Sequence, residues 1–410
     1  MTILLLNQFF WPDSAATSQL LTDLARGLTE RGHSVHVICA QSGYAIEDNT
    51  EPPPVQIHRI AAAPFLRGIV GRVASYSSFF LGALWQGLRV PPPDVVMITL
   101  TTPPLLSLIG TLIQKLRGAR HFIWEMDVYP DVAVDLNYFK KGSFLEQVVG
   151  FLADLSRKQC DGILALGPCM RDRLVNRGIS SSKIYIADNW ADGRKIRPVS
   201  WPPAHNPLTI LYSGNLGLAH DVGTIQEAIE ALKNDRRFRF VFAGSGARRA
   251  QLEGWCKANG VDNTEFRPYS AKASLGESLG SGHIGLITQN DACLGSVVPS
   301  KLYGLLAAGR PVLFIGPKAS TVARILERFE CGWQVNCGDT VTLLRILEAL
   351  EGDLREVQSA GERARKAFAS NYDLPHGISR ICAFIGATSD QEIARSLASF
   401  ETDAVLTDGT

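Results

Sequence analysis

No two of the eight cysteines stand at C-x-x-C spacing, so the 410-residue chain signals neither a zinc site nor a redox pair. Free thiols in a reducing compartment are the expectation. No GxxxxGK[ST] occurs, which removes a Walker loop, and the dinucleotide fingerprint GxGxxG is incomplete, because GSGARR at 244–249 holds only the first two glycines. No DxD occurs, so a carboxylate pair for a divalent cation is missing and no metal or other cofactor is expected. Neither sign of charge dominates: 41 basic against 40 acidic residues leaves +1, which argues against a general nucleic-acid binder. No run reaches the ~18 uninterrupted apolar residues of a membrane span. The nearest, LWQGLRVPPPDVVMITL, is broken by Arg89 and three prolines. The start, MTILLLNQFFWPD, lacks the basic region and apolar length of a signal peptide, and a cytoplasmic location is expected.

One absence is local. Between His58 and Trp124 there are seven basic residues and a single acid, Asp94. Within that stretch Phe65, Ile69, Phe79, Phe80, Leu84 and Trp85 are interleaved with Arg67, Arg72 and Arg89. This is the composition of a helix lying on an anionic membrane, which would put the chain peripherally on the inner face of the cell membrane. Core packing with solvated arginines is the alternative.

What is present is alternation. TILLL, SVHVICA, DVVMITL, HFIWE, GILAL and KIYIA are apolar runs separated by helical periodicity, beginning with a helix over roughly Ser18–Arg31. Continuous apolar strands of this kind suit a parallel sheet covered on both faces. After the proline-rich NWADGRKIRPVSWPPAHNP the pattern restarts with LTILYSG, FRFVFAGSG, HIGLIT, PVLFIG and CGWQV. The expected class is α/β: two doubly wound, Rossmann-like domains facing across a cleft, at 1–190 and 208–375, with a linker at 191–207. The remainder, 376–410, reads as a C-terminal helix crossing back to the first domain, with a frayed end.

Three strand-to-helix junctions in the second half carry glycines or a cap: YSGNLGLAHD with Gly214, Asn215 and Gly217; FAGSGARR with Gly244 and Gly246; and VVPSK. Glycine lets a backbone approach a phosphate, and helix N-termini offer N–H donors. In SVVPSKLYGLLAAGRPVLF, Ser300 reads as the N-cap of a short helix that stops at Gly309. Lys301 then falls in the first turn, where the helix dipole disfavours a cation unless an anion is shared with it. It is the candidate diphosphate cation, with Ser300 and the backbone N–H groups as co-donors. In the first half, EMDVYPD follows a buried strand and puts Asp127 and Asp131 at its carboxyl edge, where one could orient or deprotonate a hydroxyl. A cap is the structural alternative for Asp127. FFWPDSAATS, with Ser14, is a small-residue loop suited to close approach of a sugar or phosphate, though a helix start explains it too.

LARGLTERGHSVHVICA, RLVNRGISSSKIYIADNWAD, FRFVFAGSGARRAQLE and PSKLYGLLAAGRPVLFIG together resemble retaining glycosyltransferases of the GT-B fold, family 4, over nearly the whole chain. MDVYPDVAVDLNYF and SGNLGLAHD are similar to a WbuB-like bacterial branch that builds surface polysaccharides. The resemblance implies transfer of a sugar, N-acetylated in some members, from a UDP-sugar to a hydroxyl of a carbohydrate or lipid-linked acceptor. It also implies retention of configuration, the proton being taken by a donor phosphate oxygen. Two departures stand out. The family's two glutamates, eight positions apart, fall here on Ser296 and Gly304, and its basic pair after the first strand of the second domain is replaced by Asn215 and His220. His220 is therefore expected to meet the donor phosphates as a cation, with an affinity that falls between about pH 6 and 8. A UDP-sugar 2-epimerase of the same architecture, or a nucleotide-sugar-binding protein without catalysis, are the rival readings.

Overall fold

The computed structural model describes residues 1–13, 15–41, 51–61, 69–90, 95–203, 207–270 and 274–386. Ser14, Phe65 and Arg67 lie outside them, as do the side chains of Ile69 and Arg72. The chain divides into two compact units: Met1–Val134 with Phe139–Asp188 and the segment from Gly377, and Asp135–Tyr138 with Asn189–His376.

The first unit holds a seven-stranded parallel sheet: β1 (Thr2–Leu6), β2 (Ser34–Ala40), β3 (Gln56–Ile60), β4 (Val95–Leu100), β5 (Arg120–Glu125), β6 (Gly162–Ala165) and β7 (Ile184–Ile186). Their spatial order is 3-2-1-4-5-6-7. Connecting helices are α1 (Ala16–Glu30), α2 (Ile69–Gly87), α3 (Leu106–Arg117), α4 (Asp131–Asp135), α5 (Phe144–Gln159) and α6 (Pro168–Asn176). Right-handed crossovers put α2, α3 and α5 on one face of the sheet, because each carries the chain in the same direction across it. The aromatic segment divides: Phe79 has no exposure, and Phe80 and Leu84 pack against the buried cluster around Leu4 and Met97, whereas Trp85 is exposed.

The second unit repeats the plan with β8 (Leu208–Asn215), β9 (Phe238–Ser245), β10 (Thr264–Arg267), β11 (Ile284–Thr288), β12 (Val312–Ile315) and β13 (Gly332–Val335), ordered 10-9-8-11-12-13. Its helices are α7 (Gly223–Leu232), α8 (Ala247–Ala258), α9 (Leu275–Gly280), α10 (Lys301–Ala307), α11 (Thr321–Phe329), α12 (Thr340–Gly352) and α13 (Leu354–Ala367). Strand order reverses between β8 and β11, which opens a crevice at their carboxyl ends.

The proline-rich stretch is not a free tether within this unit. Ile196 enters the core beside Leu302, and the buried Arg310 guanidinium donates to the carbonyls of Ser200 (3.1 Å) and Gly280 (2.8 Å) with Trp201 stacked on it at 4.1 Å. A last helix, α14 (Leu374–Gly386), carries Phe384 onto Tyr185 (4.8 Å, stacked) and Phe122 (5.2 Å, edge-on) of the first unit's sheet.

Candidate active site

The crevice residues of the second unit come together around Lys301. This side chain starts in the first turn of α10, which follows β11, and leans back across the end of β8. Its Cε lies 2.4 Å from where a Cβ on Gly214 would sit, so the lysine stem occupies the space that glycine leaves. The ammonium donates to the Asn215 carbonyl at 3.4 Å and to His220 Nε2 at 3.5 Å, and stands 5.2 Å from the Tyr212 ring centroid. Desolvation pulls its pKa down to about 8. The ammonium is thus charged at neutral pH but poorly solvated, which favours capture of an anion. Ser300 does not cap this helix as expected: its backbone is already helical and its hydroxyl accepts no amide. Gly309, at φ +65°, does end it.

His220 corrects the second expectation. Its Nδ1 lies 2.7 Å from the Thr288 carbonyl, which can only accept, so the proton sits on Nδ1 and Nε2 presents a lone pair toward Lys301. Burial and the neighbouring ammonium lower its pKa to about 4. A neutral imidazole that accepts from Lys301 positions the lysine and is not a second cation.

The glycines are explained in part by packing of loop on loop. Gly244 pairs with Gly214 across β8 and β9, has φ +124°, and a Cβ there would lie 2.2 Å from the Gly214 carbonyl. Gly246, at φ +123°, meets the Leu216 carbonyl at 2.3 Å in the same sense. Only Gly217 faces open space, with the Asn215 amide nitrogen 3.5 Å away as its nearest neighbour. Ser296 has no exposed surface and its hydroxyl donates to the Cys293 carbonyl at 3.3 Å, so it offers nothing to a ligand. Gly304 leaves room for a side chain, with ordinary contacts to Leu279 and Ile196 only.

Tyr269, just beyond β10, escaped sequence reasoning. It is 53 % exposed, its hydroxyl accepts from Ser245 at 3.3 Å, and its ring edge lies 3.1 Å from the Cβ position of Gly244. Lys301 beside Gly214 and Tyr269 beside Gly244 therefore meet the glycine pair on neighbouring strands at one sheet edge. An exposed aromatic after a strand carries no periodic signal, which is why it was missed.

In the first unit, the amides of Met126 and Asp127 both donate to Thr101 Oγ1 at 3.2 Å, fixing the turn after β5 against the end of β4. The Asp127 carboxyl, half-buried there, is raised to about 6 by desolvation and then by the Glu125 carboxylate. It is a more basic proton acceptor than an ordinary carboxylate, at the sheet's carboxyl edge. Asp131 is different: its oxygens are taken by Arg173 Nε (2.9 Å) and Arg177 Nη1 (2.7 Å), and Arg177 also grips Asp154 (2.7 Å). Asp154 in turn meets Arg157 (2.9 Å), which forks onto the buried Glu125 (2.6 Å). The expected acceptor ligand is a tie between α4, α5 and α6. Ser14 lies outside the described residues. Among the described residues no group of three or more His, Cys, Asp or Glu could hold a metal ion.

Residues 17–190 match the family model described as a glycosyl transferase 4-like domain. Whole-chain comparisons with solved structures agree on architecture. Anabaena HepE in complex with UDP and glucose superposes with a TM-score of 0.73 over 94 % of this chain and all of that one, at 13 % identity. The fold is GT-B. Among curated relatives, a probable glycosyltransferase, WbjE of Pseudomonas aeruginosa, is 25 % identical over 68 % of this chain and 70 % of its own. The putative colanic acid biosynthesis glycosyl transferase WcaI of Escherichia coli is 22 % identical over 80 % of this chain and 86 % of its own.

Proposed function

We propose that the chain is a glycosyltransferase of bacterial glycan biosynthesis, of the WbuB-like kind, that moves a sugar from a UDP-sugar to a hydroxyl of a glycan or lipid-linked acceptor with retention of configuration. The observation that carries this reading is Lys301: a desolvated ammonium, held by a backbone carbonyl and a neutral histidine, at the strand-order reversal where GT-B sheets leave a ligand crevice. The UDP seen in HepE and the names of WbjE and WcaI support the choice of donor and pathway class.

The sugar C1–O bond to the diphosphate breaks as the acceptor oxygen closes on C1 from the same face, and the acceptor proton passes to a donor phosphate oxygen. Charge builds on the leaving diphosphate, and a preorganised cation in a desolvated site stabilises that charge more than water would. Lys301 supplies it. The Tyr269 ring offers a stacking face for the nucleobase on the far side of the glycine pair, a contact of about 1–3 kcal/mol where bases stack on aromatic side chains. Within the first unit, Asp127 offers a carboxylate able to accept a hydrogen bond from an acceptor hydroxyl. No protein nucleophile and no metal enters the step. Incubating the purified chain with UDP-sugars and a hydroxyl acceptor separates the readings: UDP with a glycosylated acceptor supports transfer, a C2 epimer of the intact donor supports the epimerase, and binding without turnover supports a carrier.

A further inference from the structure

Single exposed apolar side chains are ordinary, but a contiguous group of large ones is not. Eight of the fourteen large hydrophobic residues that are exposed among the described ones lie on α2, α3 and α5. These three helices share a face of the first sheet, α2 packing on α3 and α3 on α5. Each already buries a separate apolar face: Phe79 and Ala83 on α2, Ile109 and Ile113 on α3, Ala153 on α5. Each then presents a second apolar stripe outward at helical spacing. These are Leu81 and Trp85, Leu112 and Leu116, and Phe144 with Phe151, the last two 83 % and 68 % exposed.

Cations predominate around these stripes, with Asp161, which accepts from Gln114 of α3 at 2.9 Å, the exposed acid beside them. Arg89, Lys115, Lys140, Lys141 and Lys158 are exposed, with the Arg89 guanidinium 3.9 Å from the Trp85 ring centroid. None of the five has a carboxylate partner among the described residues. Helices α2 and α3 contain no Asp or Glu. The two acids of α5 are engaged, Glu146 by the Gly142 amide (2.8 Å) and Asp154 by Arg157 and Arg177.

From this arrangement we infer that the α2–α3–α5 face is a docking surface for an anionic lipid bilayer. Bulky apolar side chains enter the headgroup boundary while the lysines and Arg89 meet acidic headgroups. The same charge argues against a second copy of this chain as the occupant, because two basic faces repel. Among the described residues no helix is long and apolar enough to cross a membrane. The inference extends the sequence-based expectation, of whose named side chains Phe79 is core and Phe80 and Leu84 pack against it, while Trp85 and Arg89 are exposed. It stands apart from the donor site in the second unit.

The test is co-sedimentation of the full chain with vesicles of phosphatidylcholine alone or mixed with phosphatidylglycerol, alongside UDP calorimetry on the same samples. The chain should pellet with the anionic vesicles at low salt and be released as salt rises, because charge attraction is screened beyond a Debye length. Phe144→Ser with Phe151→Ser, and separately Lys140→Glu with Lys141→Glu, should each cut binding about tenfold or more, since both burial and charge contribute. UDP affinity should be unchanged in both, and an unchanged far-UV circular dichroism spectrum and thermal melt verify that the first unit is folded. A wild type that stays in the supernatant at low salt overturns the proposal, as do equal binding to neutral vesicles and full binding by the Phe double variant. A dimer in sedimentation equilibrium that the Phe double variant dissociates would assign the face to a second copy. A wild type that docks but binds no UDP leaves the docking surface standing and refutes the donor reading.

Discussion

At the scale of single residues, two titrating groups carry the proposed chemistry and each has a pH signature. Lys301 is lowered to about 8, so a diphosphate that requires its ammonium should bind at constant strength below that value and weaken as pH rises above it. Lys301→Arg should flatten the profile, because guanidinium stays protonated throughout. Calorimetry with UDP from pH 6.5 to 9.5 checks this; an unchanged slope in the arginine variant would separate the titration from Lys301. Asp127 is raised to about 6, so turnover should fall as pH drops through that value. Asp127→Asn should lower kcat more than it lowers UDP affinity, because a neutral amide is a weaker hydrogen-bond acceptor toward the acceptor hydroxyl than a carboxylate, and should abolish the acid limb. The stability sign is opposite to that of a paired carboxylate. With its folded pKa above the unfolded one near 3.9, the native state binds the extra proton between about pH 4 and 6, so this group costs stability as pH rises through that window. The Asn variant should therefore be as stable as wild type at pH 7, or more so. A marked loss of stability would make Asp127 a structural cap.

At the scale of elements, the glycines at the carboxyl edge of the second sheet divide into those required by packing and those that are not. Gly244→Ala would drive a Cβ into the Gly214 carbonyl at a φ of +124°, and should cost about 1–3 kcal/mol or more. Gly304→Ala meets only ordinary contacts inside α10 and should be neutral or stabilising by up to about 1 kcal/mol through helix propensity. Denaturant midpoints at constant slope measure both, and equal costs at the two positions would contradict this division. The same scale shows what was legible in the sequence. Interior strands were readable because both faces are buried: TILLL and SVHVICA coincide with β1 and β2. The edge strands β3 (QIHRI) and β10 (TEFR) were not, since half-exposed positions with His, Arg and Glu break the apolar run. Lys301 was legible from its anomalous place in a first turn. The neutrality of His220 was not, because it depends on the Thr288 carbonyl 68 residues away. Nor was the capture of Asp131, whose arginines come from α6 and the residue after it.

For the molecule as a whole, two parallel sheets of related topology supply two carboxyl edges, and the proposed labour is divided between them. The second unit holds Lys301, the proposed diphosphate cation, and the exposed Tyr269; the first holds Asp127 and the apolar, basic helix face. Alternation of strand and helix announced this plan, but it could not show which face of the first unit stays uncovered, since that depends on three helices packing side by side. The central claim is that Lys301 binds the donor diphosphate, and the most direct measurement is a calorimetric titration of UDP into wild type and Lys301→Ala at pH 7. A hydrogen bond to a charged group contributes about 1.5–3 kcal/mol, so the variant should bind UDP about 10- to 150-fold more weakly, with its melting temperature unchanged. Wild-type affinity in Lys301→Ala would place the diphosphate elsewhere and contradict the account.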